Sequence, residues 1–188
     1  MFARFKWQMS MNNESHLLDK FRFCPVCGSP RFEVNDFKSK RCPDCGLVYY
    51  TNPCASCVAV ILNERDELLV VRRACEPAKG TLDLPGGFCD CGESVEESVV
   101  REVKEETGLD AEVDAFLFSL PNIYPYGGLE VHTLDMFFLC RVRSGKDLCA
   151  DDDASEATWI PWSEIKPEEF GLCSIRKGVE ALLSKKPV

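Results

Sequence analysis

Three glutamates, Glu102, Glu105 and Glu106, crowd around Lys104 in the stretch GGFCDCGESVEESVVREVKEETGL, which runs from Gly86 to Leu109. Carboxylates that close make one another harder to ionise unless a cation sits among them. Oxygen donors of this kind suit Mg2+ or Mn2+. The ordinary alternative is a solvated acidic face. Two features count against it. Arg101 is placed to pair with Glu93 or Glu97 and orient the group, and the Gly86-Gly87 turn upstream lets backbone and ligand approach closely.

A helix must present these groups. Ser94 and Glu97 have the S-x-x-E capping-box spacing that starts a helix, and Gly108 supplies the stop. Val95, Val99 and Val103 recur every four residues, with Val100 widening the stripe, so that face packs inward. Glu102, Glu105 and Glu106 stand at i, i+3 and i+4, on one side of the helix.

A second chemistry-bearing pattern precedes it. CPVCG at Cys24–Gly28 and CPDCG at Cys42–Gly46 are separated by the strand-like RFEVNDF. Two such turns joined by a hairpin predict a zinc ribbon, with Cys24, Cys27, Cys42 and Cys45 closing a tetrahedral structural site. A module this small buries little core, so the metal supplies most of its stability. Cys54 and Cys57 share the C-x-x-C spacing but run straight into the apolar VAVIL, and we read them as strand residues. Cys75, Cys140, Cys149 and Cys173 are isolated, and Cys89 and Cys91 belong to a loop.

The remaining pattern places these motifs. Residues 1–20 form an N-terminal extension, 21–50 the ribbon and 53–188 a larger domain. VAVIL and ELLVVRR predict two strands joined by NERDE. The Pro/Gly-rich loop ACEPAKGTLDLPGG leads to the acidic helix. AEVDAFLFSL, VHTLDMFFLCRV and TWIPW predict further strands, and SIRKGVEALLSK a last helix. Strands interleaved with two helices predict an α/β (α+β) sandwich.

The chain has 188 residues, 45 % hydrophobic and 28 % charged, with a formal net charge of -9. That balance disfavours nucleic acid as a general partner, since phosphate contacts need clustered Lys and Arg. Small anionic substrates remain open if metal ions supply the positive charge. Twelve cysteines without a readable secretory signal predict a reducing, cytoplasmic setting, and no apolar run is long enough to span a bilayer.

The run Gly87, five residues, Glu93, seven residues, then Arg101-Glu102-Val103-Lys104-Glu105-Glu106-Thr107-Gly108-Leu109 resembles the Nudix box, G-x5-E-x7-R-E-U-x-E-E-x-G-U with U aliphatic, at every fixed position. The order of zinc ribbon then Nudix domain resembles the NADH pyrophosphatase-like branch. The resemblance implies an α/β/α sandwich with a mixed sheet, and metal-dependent hydrolysis of the pyrophosphate bond in a nucleoside diphosphate linked to another group. It implies that Glu102, Glu105 and Glu106 hold Mg2+ or Mn2+ with the carbonyl of Gly86, supported by Glu93 and Arg101. Glu105 is the first choice as general base, with Asp153 and Glu156 of the DDDASE loop as outside candidates. Arg72, Arg73 and Lys79 are candidates for phosphate.

The substrate is less legible. The branch motif S-Q-P-W-P-F-P-x-S has its counterpart in SLPNIYPYG at Ser119–Gly127, which lacks the glutamine and the tryptophan. Tyr124 or Tyr126 could stack on a base. NADH or another dinucleotide, ADP-ribose and nucleotide sugars all stay open. So does a homodimer, for which no residue marks an interface. The competing readings are a non-catalytic nucleotide-binding regulator on a Nudix scaffold, and an adaptor working through the ribbon.

Overall fold

The computed structural model describes residues 16–142 and 154–186. The chain divides into two compact units, Met1–Asn52 and Pro53–Val188.

In the first unit, β1 (Glu33–Asp36), β2 (Ser39–Arg41) and β3 (Val48–Tyr50) form an antiparallel sheet in that order. Its core is Cys24, Phe32 and Cys42, with Phe21 and Leu47 packed beside them. The two cysteine turns repeat one geometry. The N–H of Gly28 donates to the Cys24 carbonyl, and that of Gly46 to the Cys42 carbonyl, each at 2.9 Å. With so few apolar residues, Cys24 and Cys42 themselves form much of the core, while Cys27 and Cys45 are exposed.

In the second unit, β4 (Cys54–Ile61) runs parallel to β8 (Leu129–Val142), which pairs antiparallel with β7 (Ala111–Tyr126). This is the expected mixed sheet. A second, antiparallel sheet has the order β6 (Leu82–Asp83), β5 (Glu67–Arg73), β9 (Ala154–Pro161). Alternation along β4 explains why both faces are covered. Val58 and Val60 point to one core with Val70, Phe137, Ile175 and Val179. Cys57, Ala59 and Ile61 point to the other with Leu69, Val99, Val103 and Phe138. Helix α1 (Val95–Thr107) supplies Val99 and Val103, and helix α2 (Cys173–Ser184) supplies Ile175, Val179 and Leu182. The helices thus cover opposite faces. Each fully buried valine contributes about 1.5–3 kcal/mol.

Helix α1 begins and ends where its sequence dictates. Ser94 accepts from the Glu97 N–H while Glu97 reaches back to the Ser94 N–H, and Gly108 closes the helix in the left-handed region. Cys54 and Cys57 lie in β4, as their apolar continuation implies.

The VAVIL and ELLVVRR strands form as expected, joined through the NERDE turn; they lie in different sheets, with an isolated bridge from Leu62 to Leu68. Two strand extents are corrected. The SLPNIYPY segment belongs to β7, which continues to Tyr126. Its prolines are tolerated because β7 is an edge strand, where a missing N–H breaks no ladder. Gly127 and Gly128, both at positive φ, then turn the chain into β8. The TWIPW strand is longer than its apolar core and begins at Ala154.

Candidate active site

The loop before α1 is laced to β4. The N–H of Ala59 donates to Pro85 O at 2.7 Å, that of Cys57 to Gly87 O at 2.9 Å, and that of Cys89 to Ala55 O at 3.1 Å. This contact requires the two glycines. Gly86 has φ +153, and a Cβ there would stand 2.1 Å from Cys57 O. A Cβ on Gly87 would stand 2.5 Å from Glu102 Oε1. The Gly86 N–H donates to Glu106 Oε2 at 3.0 Å, which fixes that carboxylate against the loop.

Arg101 organises the other carboxylates. Its Nε and one terminal nitrogen donate to the two oxygens of Glu93 at 3.1 and 2.8 Å. The other terminal nitrogen donates to Glu102 Oε1 and Glu105 Oε2, each at 2.9 Å. The guanidinium and the Asp90 N–H hold the Glu93 carboxyl down at about 2. The same ion pairs raise the pKa of Arg101, which stays charged. Three carboxylates thus share one guanidinium, an excess of negative charge that burial makes more costly.

Both metal-binding expectations can be tested against the donor sets. Among the described residues, the set of three or more Cys, His or carboxylate ligand atoms within 4.8 Å of one another is Cys24, Cys27, Cys42 and Cys45. The Cys24–Cys45 and Cys27–Cys42 sulfurs lie 3.6 Å apart. Four sulfurs bound tetrahedrally at about 2.3 Å would stand about 3.8 Å apart, so the cluster fits a tetrahedral ion. The α1 carboxylates do not converge so tightly, because Arg101 lies among Glu93, Glu102 and Glu105. Their hard oxygens and net negative charge fit a divalent cation in kind.

The carboxylates open onto a cavity of about 420 Å³ lined by Glu102, Glu105 and Glu106 on one side and Asn122, Tyr124 and Tyr126 on another. Of the residues proposed for substrate, Arg73, Tyr124 and Tyr126 line it; Arg72 and Lys79 do not. Arg73 is fully engaged. It donates to Pro77 O at 2.7 Å, to Asp83 Oδ2 at 2.7 Å and to Tyr124 Oη at 2.9 Å. Burial pushes the Asp83 carboxyl above its ordinary range, against the pull of Arg73. Arg72, the next residue along the strand, points away and pairs with Glu156 at 3.1 Å. Glu156 is therefore away from the cavity, and Asp153 lies outside the described residues, as does Cys149. Phe88 meets Tyr124 edge to face, with centroids 5.7 Å apart. Cys57 also reaches the cavity wall, but burial pushes its thiol up to about 11 and leaves it unreactive.

Several cavity residues escaped the sequence reading: Asp83, Asn122, Thr133 and Asp135. Thr133 donates to Asp135 Oδ1 at 2.6 Å, and Ser174 of α2 donates to Asp135 Oδ2 at 2.5 Å. Only strand register could have grouped them, because Asn122 faces Thr133 across the β7–β8 ladder.

A carboxylate helix facing a cleft with aromatic walls suits a metal-assisted hydrolase of a flat, anionic substrate. Comparison with known proteins makes the assignment specific. The family model described as NUDIX domain matches residues 52–177, and the chain belongs to that family. The chemistry of this class is hydrolysis of the pyrophosphate bond in nucleoside diphosphate derivatives. An ADP-ribose pyrophosphatase of Methanocaldococcus jannaschii is 44 % identical over 123 residues, covering 64 % of this chain and 69 % of that protein. The NAD-capped RNA hydrolase NudC of Pseudomonas aeruginosa is 31 % identical over 147 residues, covering 78 % of this chain and 50 % of that protein. The chain thus spans about half the length of that relative. Among solved structures, a NUDIX hydrolase from Nitrosomonas europaea superposes with a TM-score of 0.70 at 21 % identity, covering 88 % of this chain and 92 % of that one. An ADP-ribose pyrophosphatase from Streptococcus suis gives 0.55 at 26 % identity, covering 73 % and 94 %. No helix among the described residues is long and apolar enough to cross a membrane.

Proposed function

We propose that the protein hydrolyses the pyrophosphate bond of ADP-ribose or a closely related adenine nucleotide, using Mg2+ or Mn2+. The observation that carries this reading is the row of α1 carboxylates opening onto a cavity of about 420 Å³ with tyrosines on its far wall. When bound by Glu102, Glu105 and Glu106 with the Gly86 carbonyl, the divalent ion supplies the positive charge that a diphosphate needs and makes a bound water acidic.

The chain's own residues do the rest. Glu105 takes a proton from the attacking water; of the three carboxylates its side chain is the more exposed at 44 %, against 13 % for Glu102. Arg101 orients Glu102 and Glu105 and is itself braced by Glu93. The pairing of Glu156 with Arg72 supports Glu105 over Glu156 as the base. Arg73 positions Tyr124, and the tyrosines stack against the nucleotide. The similarity to an ADP-ribose pyrophosphatase supports this substrate over NADH, as does the missing tryptophan of the branch motif.

A panel of ADP-ribose, NADH, NAD-capped RNA and UDP-sugars with Mg2+ or Mn2+ tests the reading. ADP-ribose is expected to give AMP and ribose 5-phosphate at the highest kcat/KM. Preference for capped RNA would overturn the small-molecule assignment, against which the net charge of -9 already argues.

The four-cysteine cluster is proposed to hold a structural Zn2+ in a separate ribbon module, in a cytoplasmic setting that keeps thiols reduced. A homodimer stays open as the assembly, and size-exclusion with light scattering distinguishes it from a monomer.

A further inference from the structure

The sheet face that packs on α2 changes character along its length. Val58 of β4, Phe137 of β8 and Phe118 of β7 form one apolar rung across the three strands. One rung nearer the cleft, the same face carries Ser56, Asp135 and Leu120. The next carries Thr133 and Asn122. Packing gives no reason for that change, because Asp135 is 4 % exposed, Thr133 3 % and Asn122 8 %.

Asn122 stands apart within this group. Thr133 and Ser174 both spend their hydroxyl protons on Asp135. The Asn122 amide makes no side-chain hydrogen bond among the described residues. No enclosed polar side-chain atom among them lacks a partner. The Asn122 amide therefore keeps its polar atoms on the cavity surface that it lines. An amide so nearly buried and still unpaired is a group held ready for a ligand.

The surroundings define that ligand. Leu172 and Ile175 of α2 supply apolar wall beside the polar rungs, and Tyr124 follows Asn122 by two residues on the same strand face. Flat walls with a polar edge suit a heterocycle better than a sugar. The Asp135 carboxylate only accepts, and each oxygen keeps a lone pair after its hydroxyl partner. An amide carbonyl and N–H together match the amino group and adjoining ring nitrogen of adenine. The second amino hydrogen then faces Asp135. A 6-oxo purine would instead set its oxygen against that carboxylate. The loop at Gly87 bonds to Cys57 of β4, and β8 and β7 follow, so three strand spacings across the sheet and three residues along it put Asn122 about 17 Å away. An extended nucleoside diphosphate bridges such a span.

We infer that Asn122 and Asp135 are specificity-determining residues that read the 6-amino edge of an adenine and reject 6-oxo purines. This rests on the cleft being that of a pyrophosphohydrolase.

The test compares kcat/KM for ADP-ribose and for inosine diphosphate ribose with Mg2+. Wild type is expected to favour ADP-ribose by on the order of 10- to 100-fold. Asn122→Leu should lower kcat/KM for ADP-ribose more than for inosine diphosphate ribose and so shrink that ratio several-fold, the remainder being held by Asp135. Asn122→Ser gives the same comparison if the leucine variant does not fold, and the wild-type ratio needs no variant. Equal wild-type turnover of the two nucleotides overturns this inference alone, as does a proportional fall of both rates in Asn122→Leu. Absence of turnover on either nucleotide overturns the pyrophosphohydrolase reading and the inference with it.

Discussion

A methyl group at Gly87 would lie 2.5 Å from Oε1 of Glu102, so loop and helix meet with no room for any side chain. The loop at this point is also hydrogen-bonded to Cys57 and cannot retreat. Gly87→Ala must therefore displace the Glu102 carboxylate. We expect kcat to fall by about 10²-fold, as for other small misplacements of catalytic groups, while the melting temperature changes little. A variant with normal kcat would show that Glu102 has freedom the packing denies it.

Glu93 provides a pH signature. Its carboxyl is held at about 2 by hydrogen bonds from Arg101 and the Asp90 N–H, against an ordinary 4.5. A depressed pKa stabilises the fold above the unfolded value and loses that contribution as pH falls through the folded one. The stability difference between wild type and Glu93→Gln should therefore be constant above pH 4.5 and shrink between 4.5 and about 2. Urea titrations across that range measure it. A difference independent of pH would mean that Arg101 does not hold Glu93 in solution.

The α1 cap was fully legible in the sequence, because its hydrogen bonds join residues three apart. Ser94→Ala should cost about 1 kcal/mol, a fall in melting temperature of about 4 °C for a domain this size. Retention of the wild-type melting curve would contradict the observed capping box.

The cleft was less legible, for a geometric reason. Arg72 and Arg73 are neighbours in sequence, but side chains alternate along a strand, so Arg73 enters the cavity and Arg72 pairs with Glu156. Without the strand register, the two arginines look alike. Asn122 and Asp135 were hidden similarly. Asn122 sits between two prolines that suggest a loop, and Asp135 finds Ser174 only through the packing of α2. The box, by contrast, was visible because a helix gathers residues that are three, four and seven apart.

The ribbon makes its own prediction. Cys24 and Cys42 are buried at the centre of a core too small to hold itself together. Purified protein should contain one zinc per chain, and Cys24→Ser should release it and unfold the first unit, as seen by metal analysis and limited proteolysis. Zinc retained in Cys24→Ser, or absent from wild type, would contradict the assignment.

The most direct test of the central claim is steady-state hydrolysis of ADP-ribose by wild type, Glu105→Gln and Glu106→Gln, with Mg2+ and after chelation. We predict metal-dependent release of AMP and ribose 5-phosphate by wild type, and a fall in kcat of about 10²-fold or more in each folded variant. Undiminished turnover in both variants would contradict a site built on the α1 carboxylates.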